Sequence, residues 1–190
     1  MVESRTLTQE LREFADNSRN GDFINREFSA GTVLLQAGDV ADELYLINRG
    51  CVRLVYNDGE REVTLQFFTE NELVSSIASF YSQTPSDFSL VCVEDTQVLA
   101  LTHVAAMRMI TEQPAIMAQV LDAVSRRFGE YTIMLAQART TPTQQYAHIL
   151  QTSPGITERL PQTLLASYLG ISPVSLSRIR KRMGMTTKTI

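Results

Sequence analysis

What this 190-residue chain has little of narrows it first. It has two cysteines, Cys51 and Cys92, which is no disulfide framework. Cys51 follows a turn glycine and Cys92 lies in the apolar run Leu90–Val93, so both are expected as buried strand residues rather than ligands. The only histidines are His103 and His148, and no His, Cys and Asp set has metal-ligand spacing. No glycine loop is built to cradle phosphate, and no nucleophile stands beside a base. The carboxylate groupings Asp39/Asp42/Glu43 and Glu94/Asp95 fall at expected turns, as solvated residues. An enzyme is therefore not expected, and neither is a cofactor. No apolar run approaches the roughly 18 residues of a membrane span, and the polar start MVESRTLTQE is no signal peptide. A soluble, cytoplasmic protein is expected, with no membrane partner. The most telling scarcity is local: from Arg159 to Ile190 there is no Asp or Glu, against six Lys and Arg. With a net charge of −4 overall and +6 there, the preceding 158 residues carry −10. A basic terminal module on an acidic body is the asymmetry expected when one end meets phosphate.

What is present inside that basic segment is the pattern LPQTLLASYLGISPVSLSRIRKRM, Leu160 to Met183. It reads as two short helices joined by a tight turn. Leu165, Tyr168 and Leu169 fall at helical spacing, with Pro161 at the start, where a missing N–H costs little. Gly170 stands where a helix end needs positive φ. Ser172 offers an N-cap hydroxyl and Pro173 sits at the first position of the second helix. There, Leu176, Ile179 and Met183 form one buried stripe, opposite Ser175, Arg178, Lys181 and Arg182. Ala166, Gly170 and Leu176 suit a helix-turn-helix: a small residue at the crossing, a turn glycine and a core anchor. An ordinary helical hairpin with a basic solvent face would show the same pattern.

The rest of the chain changes texture twice. Residues 6 to 16 predict a short helix through Leu7, Leu11 and Phe14, broken by polar NSRNGD. From Phe23 to Leu101, short apolar segments are punctuated by Gly31, Gly38, Gly50 and Gly59. Strands are expected at Thr32–Gln36, Glu43–Asn48, Val52–Tyr56, Glu62–Phe68, Ser89–Val93 and Gln97–Thr102, with a helical interruption near Asn71–Phe80. Such spacing fits a compact all-β roll or barrel. After Thr102 the pattern is helical: His103 to Thr111, then Ala115 to about Arg139, then Thr143–Gln151, with Ser153-Pro154-Gly155 as a loop. In the long helix Met117, Leu121, Val124, Phe128, Tyr131, Leu135 and Ala138 alternate at +4 and +3, an uninterrupted heptad seam that favours self-pairing. A second row, Ile116, Val120 and Met134, can cover the β-roll. A single helix buried against its own domain is the alternative.

A β-roll, a long heptad helix and a C-terminal helix-turn-helix, in that order, resemble the Crp/Fnr family of bacterial transcription regulators. The carriers are FSAGTVLLQAGDVADELYLINRGCVRLV, VEDTQVLAL and LLASYLGISPVSLSRIRKRM. The resemblance implies an α+β chain with an N-terminal helix and linker (1–22), a cupin-like β-roll of the cyclic-nucleotide-binding type (23–102), connecting and dimerisation helices (103–140), and a helix-turn-helix domain (141–190). Only GMTTKTI follows Met183, so the wing of a winged helix is short or missing. It further implies a homodimer reading a palindromic operator, with RNA polymerase as a further partner. Ser172, Pro173, Val174, Ser175, Arg178, Lys181 and Arg182 fall where family members place DNA contacts: the serines suit phosphate oxygens, Arg178 a guanine, Lys181 and Arg182 phosphates. The adenosine-cyclic-phosphate-responsive members have Arg-Glu where this chain has Pro173-Val174, so their operator does not carry over.

The effector positions depart further from the resemblance. Nucleotide-binding members hold the ribose with Gly-Glu and the cyclic phosphate with Arg-Ser; the corresponding positions here are Ser75-Ser76 and Ser86-Asp87. The carboxylate acceptor is gone, and a phosphate would meet Asp87 instead of a guanidinium. Cyclic AMP is therefore not the expected effector. Oxygen-sensing members use about four cysteines for an iron–sulfur cluster, which this chain lacks, and His103 and His148 are expected as partly exposed helix residues rather than haem ligands. An unknown small molecule, a protein partner, or no ligand at all remain open. A ligand-binding regulatory module of the same fold that does not read DNA is the competing reading. The basic tail argues against it.

Overall fold

The computed structural model describes residues 7–17, 22–57 and 59–184. They divide into two compact units, at Phe128/Gly129. The first begins with α1 (Leu7–Asn17), whose Leu11 enters the core; the side chains of Leu7 and Phe14 lie outside the described residues. Then follow β1 (Phe23–Phe28), β2 (Val33–Leu35), β3 (Glu43–Arg49), β4 (Val52–Asn57), β5 (Glu62–Phe68), β6 (Leu73–Val74), α2 (Ile77–Ser82), β7 (Phe88–Cys92), β8 (Thr96–Thr102) and α3 (His103–Glu112). The long helix α4 (Pro114–Gln137) starts in this unit and ends in the next.

The strands form two antiparallel sheets, ordered β1-β8-β3-β6 and β2-β7-β4-β5. One apolar core joins them, with Ile47, Val74, Val98 and Ala100 from the first sheet and Val52, Phe68, Leu90 and Cys92 from the second. β8 is covered on both faces, Val98 to Leu101 all being buried, which is why its apolar residues run on without alternating. The six expected strands are present within one or two residues. Two others were not expected. β1, FINREF, is an edge strand whose four central residues are exposed, so no alternation marks it. β6 has two residues. The helical interruption expected near Asn71–Phe80 is α2 alone, because Asn71 takes a left-handed turn conformation (φ 67°) and Leu73–Val74 pair with β3.

Both cysteines are buried; Cys92 lies in β7 and Cys51 stands just ahead of β4. The turn into β4 depends on Gly50. Its φ is +113°, and a Cβ there would lie 2.6 Å from Thr96 Oγ1 and 2.7 Å from Thr96 Cα. Thr96 cannot yield, since it is buried and its hydroxyl donates to the Glu94 carbonyl at 2.8 Å. The Gly50 N–H in turn donates to Glu70 Oε1 at 2.9 Å.

α3 follows β8 without a loop because Thr102 caps it, its hydroxyl accepting from the Ala105 N–H. α4 lays Ile116, Val120 and Ala123 on the β-roll core, and Arg127 stacks over Phe68 at 5.3 Å while reaching Glu72 at 3.5 Å. Its other apolar row, Met117, Leu121, Val124 and Phe128, stays exposed in this unit, Leu121 by 65%.

The second unit adds α5 (Pro142–Thr152), α6 (Pro154–Arg159), α7 (Gln162–Tyr168) and α8 (Pro173–Arg182). Of the α4 residues in this unit, Tyr131 and Met134 are half-buried, and Leu135 is exposed, as is Ala138 just past the helix end. Thr141 and Gln144 form a reciprocal capping box at α5. The Ser153-Pro154-Gly155 loop is corrected to the start of α6: Pro154 occupies a first-turn position, where its missing N–H is no loss. Tyr146, Leu160, Leu165, Ala166, Leu169, Leu176 and Ile179 are buried. Gly50→Ala is expected to destabilise the first unit by about 2 kcal/mol or more, from backbone strain plus the clash, read as a lowered midpoint in urea unfolding.

Candidate nucleic-acid interface and effector cleft

The turn between α7 and α8 follows from its sequence. Gly170 is left-handed (φ 64°); its N–H donates to the Ser167 carbonyl and the Ile171 N–H to the Ala166 carbonyl, both at 3.0 Å. That pair of bonds is the Schellman arrangement, which needs a residue tolerant of positive φ at this place. The chain then re-enters a helix at once. Ser172 is extended (φ −74°, ψ 153°), its hydroxyl accepts from the Ser175 N–H at 3.2 Å, and Pro173 opens the helix. Pro161 is the N-cap of α7 rather than its first residue, with an extended ψ of 139°.

α8 is two-faced. Leu176 and Ile179 are buried against a core that includes Leu165 and Ala166. Met183 was expected on this stripe but is 38% exposed, because the helix has ended at Arg182. Pro173, Val174, Arg178, Lys181 and Arg182 are exposed and Ser175 half-buried. Arg180 turns inward, near enough to Tyr146 for its charge to oppose the upward push that burial gives the tyrosine hydroxyl. The hydroxyls of Ser172 and Ser175 are bonded to each other at 2.9 Å, so they cap the helix and keep one hydroxyl hydrogen available for a phosphate. The segment 185–190, where a wing would lie, is outside the described residues.

In the first unit a cleft of roughly 820 Å3 is lined by residues from β1, β2, β3, α2's C-terminal turn and the start of α3, among them Arg26, Asp39, Asp42, Glu43, Tyr45 and Gln83. Its one guanidinium is already engaged: Arg26 Nη2 meets Glu43 Oε1 at 2.6 Å, and the Tyr45 hydroxyl donates to Glu43 Oε2 at 2.8 Å. Burial first, then that bond and charge from Glu43, hold the Tyr45 hydroxyl protonated far above its usual range. With Asp39 and Asp42 beside Glu43, the lining carries more negative than positive charge.

Of the four sequence-derived effector positions, Ser75 alone lines this cleft. Ser75, Ser76 and Ser86 are buried and Asp87 is exposed. The Ser75 hydroxyl donates to the Glu43 carbonyl at 2.9 Å, and the Ser86 hydroxyl donates to the Phe88 carbonyl at 2.8 Å. These hydroxyls tie down the fold. Arg26, Tyr45 and Gln83 escaped the sequence reading. Arg26 sits on a strand with no alternating signal, and Gln83 reaches the cleft from a left-handed C-cap (φ 52°), held by bonds to the Ala41 and Phe80 carbonyls. His103 and His148 are half-buried helix residues; the first packs edge-on against Phe80 at 5.4 Å, the second lies 2.9 Å from Gln137 Nε2.

The sequence pattern of the cyclic nucleotide-binding domain matches residues 25–113. The cyclic AMP receptor protein of Thermus thermophilus is 27% identical over 163 residues, covering 83% of this chain and 75% of that protein. The HTH-type transcriptional regulator Cmr of Mycobacterium tuberculosis is 23% identical over 158 residues, 82% of this chain and 64% of that protein. Over most of its length the chain is thus similar to proteins of this kind. Its fold agrees: the c-di-GMP-responsive global regulator CLP of Xanthomonas campestris superposes with a TM-score of 0.69, at 20% identity, over 93% of this chain and 90% of that one. Among the described residues no helix is long and apolar enough to cross a membrane.

Proposed function

We propose that this chain is a sequence-specific regulator that binds a palindromic operator as a homodimer, presenting α8 to successive major grooves. One observation carries the reading: α8 is seated on Leu176 and Ile179 and turns Arg178, Lys181 and Arg182 outward, on a segment with no acidic residue. Arg178, one turn beyond the N-cap region, suits the two acceptors of a guanine, and Lys181 and Arg182 suit phosphates. The exposed row Met117, Leu121 and Val124 supports pairing of α4 with a second copy, since a heptad row finds its complement in its own kind. For the sensor, the serines at 75, 76 and 86 and the carboxylate of Asp87 support an effector other than a cyclic nucleotide. A phosphate would find no uncommitted guanidinium in the cleft, and three carboxylates line it.

The deciding experiment is selection of the purified, ligand-free protein against random duplex DNA at near-physiological salt. A palindrome with half-site centres about one helical turn apart supports the reading; no binding to any DNA overturns it. On the selected operator, Arg178→Ala is expected to cost about 1–3 kcal/mol and relax one base per half-site, whereas Lys181→Ala weakens all DNA alike and lowers the salt slope by about one. Leu121→Glu combined with Phe128→Glu is expected to sediment as a monomer; a surviving dimer would exclude the α4 seam. In calorimetry cyclic AMP is expected to give no saturable heat, and tight binding would sink the proposed loss of nucleotide recognition.

A further inference from the structure

α8 presents one side chain that fits neither phosphate nor core. Val174 is the second residue of the helix and is 61% exposed. It lies four residues before Arg178 and seven before Lys181, so all three fall on one face. The N-terminal turn of a recognition helix is the part that meets base edges. In this turn Pro173 brings no donor, and the hydroxyls of Ser172 and Ser175 cap the helix bonded to each other, their one remaining hydrogen suited to a phosphate. The helix holds no Asp, Glu, Asn or Gln, so it has no carboxylate for the cytosine amino group and no amide to pair bidentately with adenine. A stiff, β-branched side chain with no hydrogen-bonding atom has one feature of the major groove to read, the C5-methyl group of thymine.

Resting on the DNA-binding reading above, we infer that Val174 is a specificity-determining residue that selects a C5-methylated pyrimidine in each half-site. The position follows from geometry. Four residues of helix rise about 6 Å, and stacked bases are about 3.4 Å apart, so the methyl group belongs within about two base steps of the guanine read by Arg178. Burying one methyl group is worth about fourfold in affinity per half-site, about fifteenfold for both halves of a palindrome. Val174 is exposed and supports nothing in the core, so its replacement leaves folding intact.

The test uses the full-length protein and its selected operator, with thymines replaced one at a time by deoxyuridine, which removes the methyl group and keeps the pairing. Expected is a loss of about fourfold at one thymine per half-site, within two steps of the Arg178 guanine. Val174→Ala should bind the unmodified operator about fourfold weaker per half-site, melt as the parent does, and no longer distinguish thymine from deoxyuridine there. An operator that tolerates deoxyuridine at every position overturns the methyl reading and leaves DNA recognition standing. Discrimination that persists in Val174→Ala reassigns it to another residue and overturns the inference. Absence of any selected operator removes both this inference and the reading beneath it.

Discussion

A helix with apolar residues on two sides cannot be satisfied by one neighbour. α4 commits Ile116, Val120 and Ala123 to the β-roll and adds Arg127, stacked on Phe68 and reaching Glu72, as a fixed strut. That contact orients the helix about its own axis, and so decides which way Met117, Leu121 and Val124 must face. An isolated protomer leaves that row in water, at the usual hydrophobic penalty. The proposed pairing is thus set by the packing of the β-roll: the same face that anchors the helix determines the direction of the seam.

Much of this was legible in the sequence where a local rule acts alone. The Gly170 turn needs a left-handed residue, and the Ser172–Pro173 start needs a cap and a preformed φ; each leaves a single-residue mark. The central strands were readable for a related reason, since burial repeats at a fixed period. What escaped was non-local. β1 is held by its ladder to β8 while its side chains face water, so its polar sequence carries no periodic sign. Ser-Pro-Gly at 153–155 obeys turn statistics and equally fits a short helix starting on proline; packing in the second unit decides. Met183 was misplaced because a periodic stripe does not say where a helix stops. The cleft was hidden for a further reason: Arg26, Glu43 and Tyr45 meet from β1 and β3, which the sheet order separates by β8, a strand from much later in the chain.

The cleft and the serines differ in what their polar groups have left to offer. A hydroxyl that already donates to a carbonyl can accept, but it cannot add a donor to an incoming anion. Ser75 and Ser86 are in that condition. Arg26 is likewise met by Glu43, and Tyr45 adds a second bond to the same carboxylate. An anionic ligand would have to break that arrangement and sit among carboxylates, which is a direct electrostatic cost. In this roll those polar groups are spent on holding strands and turns together.

Cys51 and Cys92 give the roll an internal clock. Both thiols are buried, Cys92 in β7 and Cys51 just ahead of the neighbouring β4, and burial also raises the proton affinity of Cys92, so neither meets a dissolved disulfide reagent while the sheets are closed. Their modification rate therefore counts openings of the roll, with no label or substitution introduced. Any molecule that holds the two sheets together slows that count in proportion to its occupancy, whatever its chemistry. The chain thus carries its own reporter for any molecule that closes the roll.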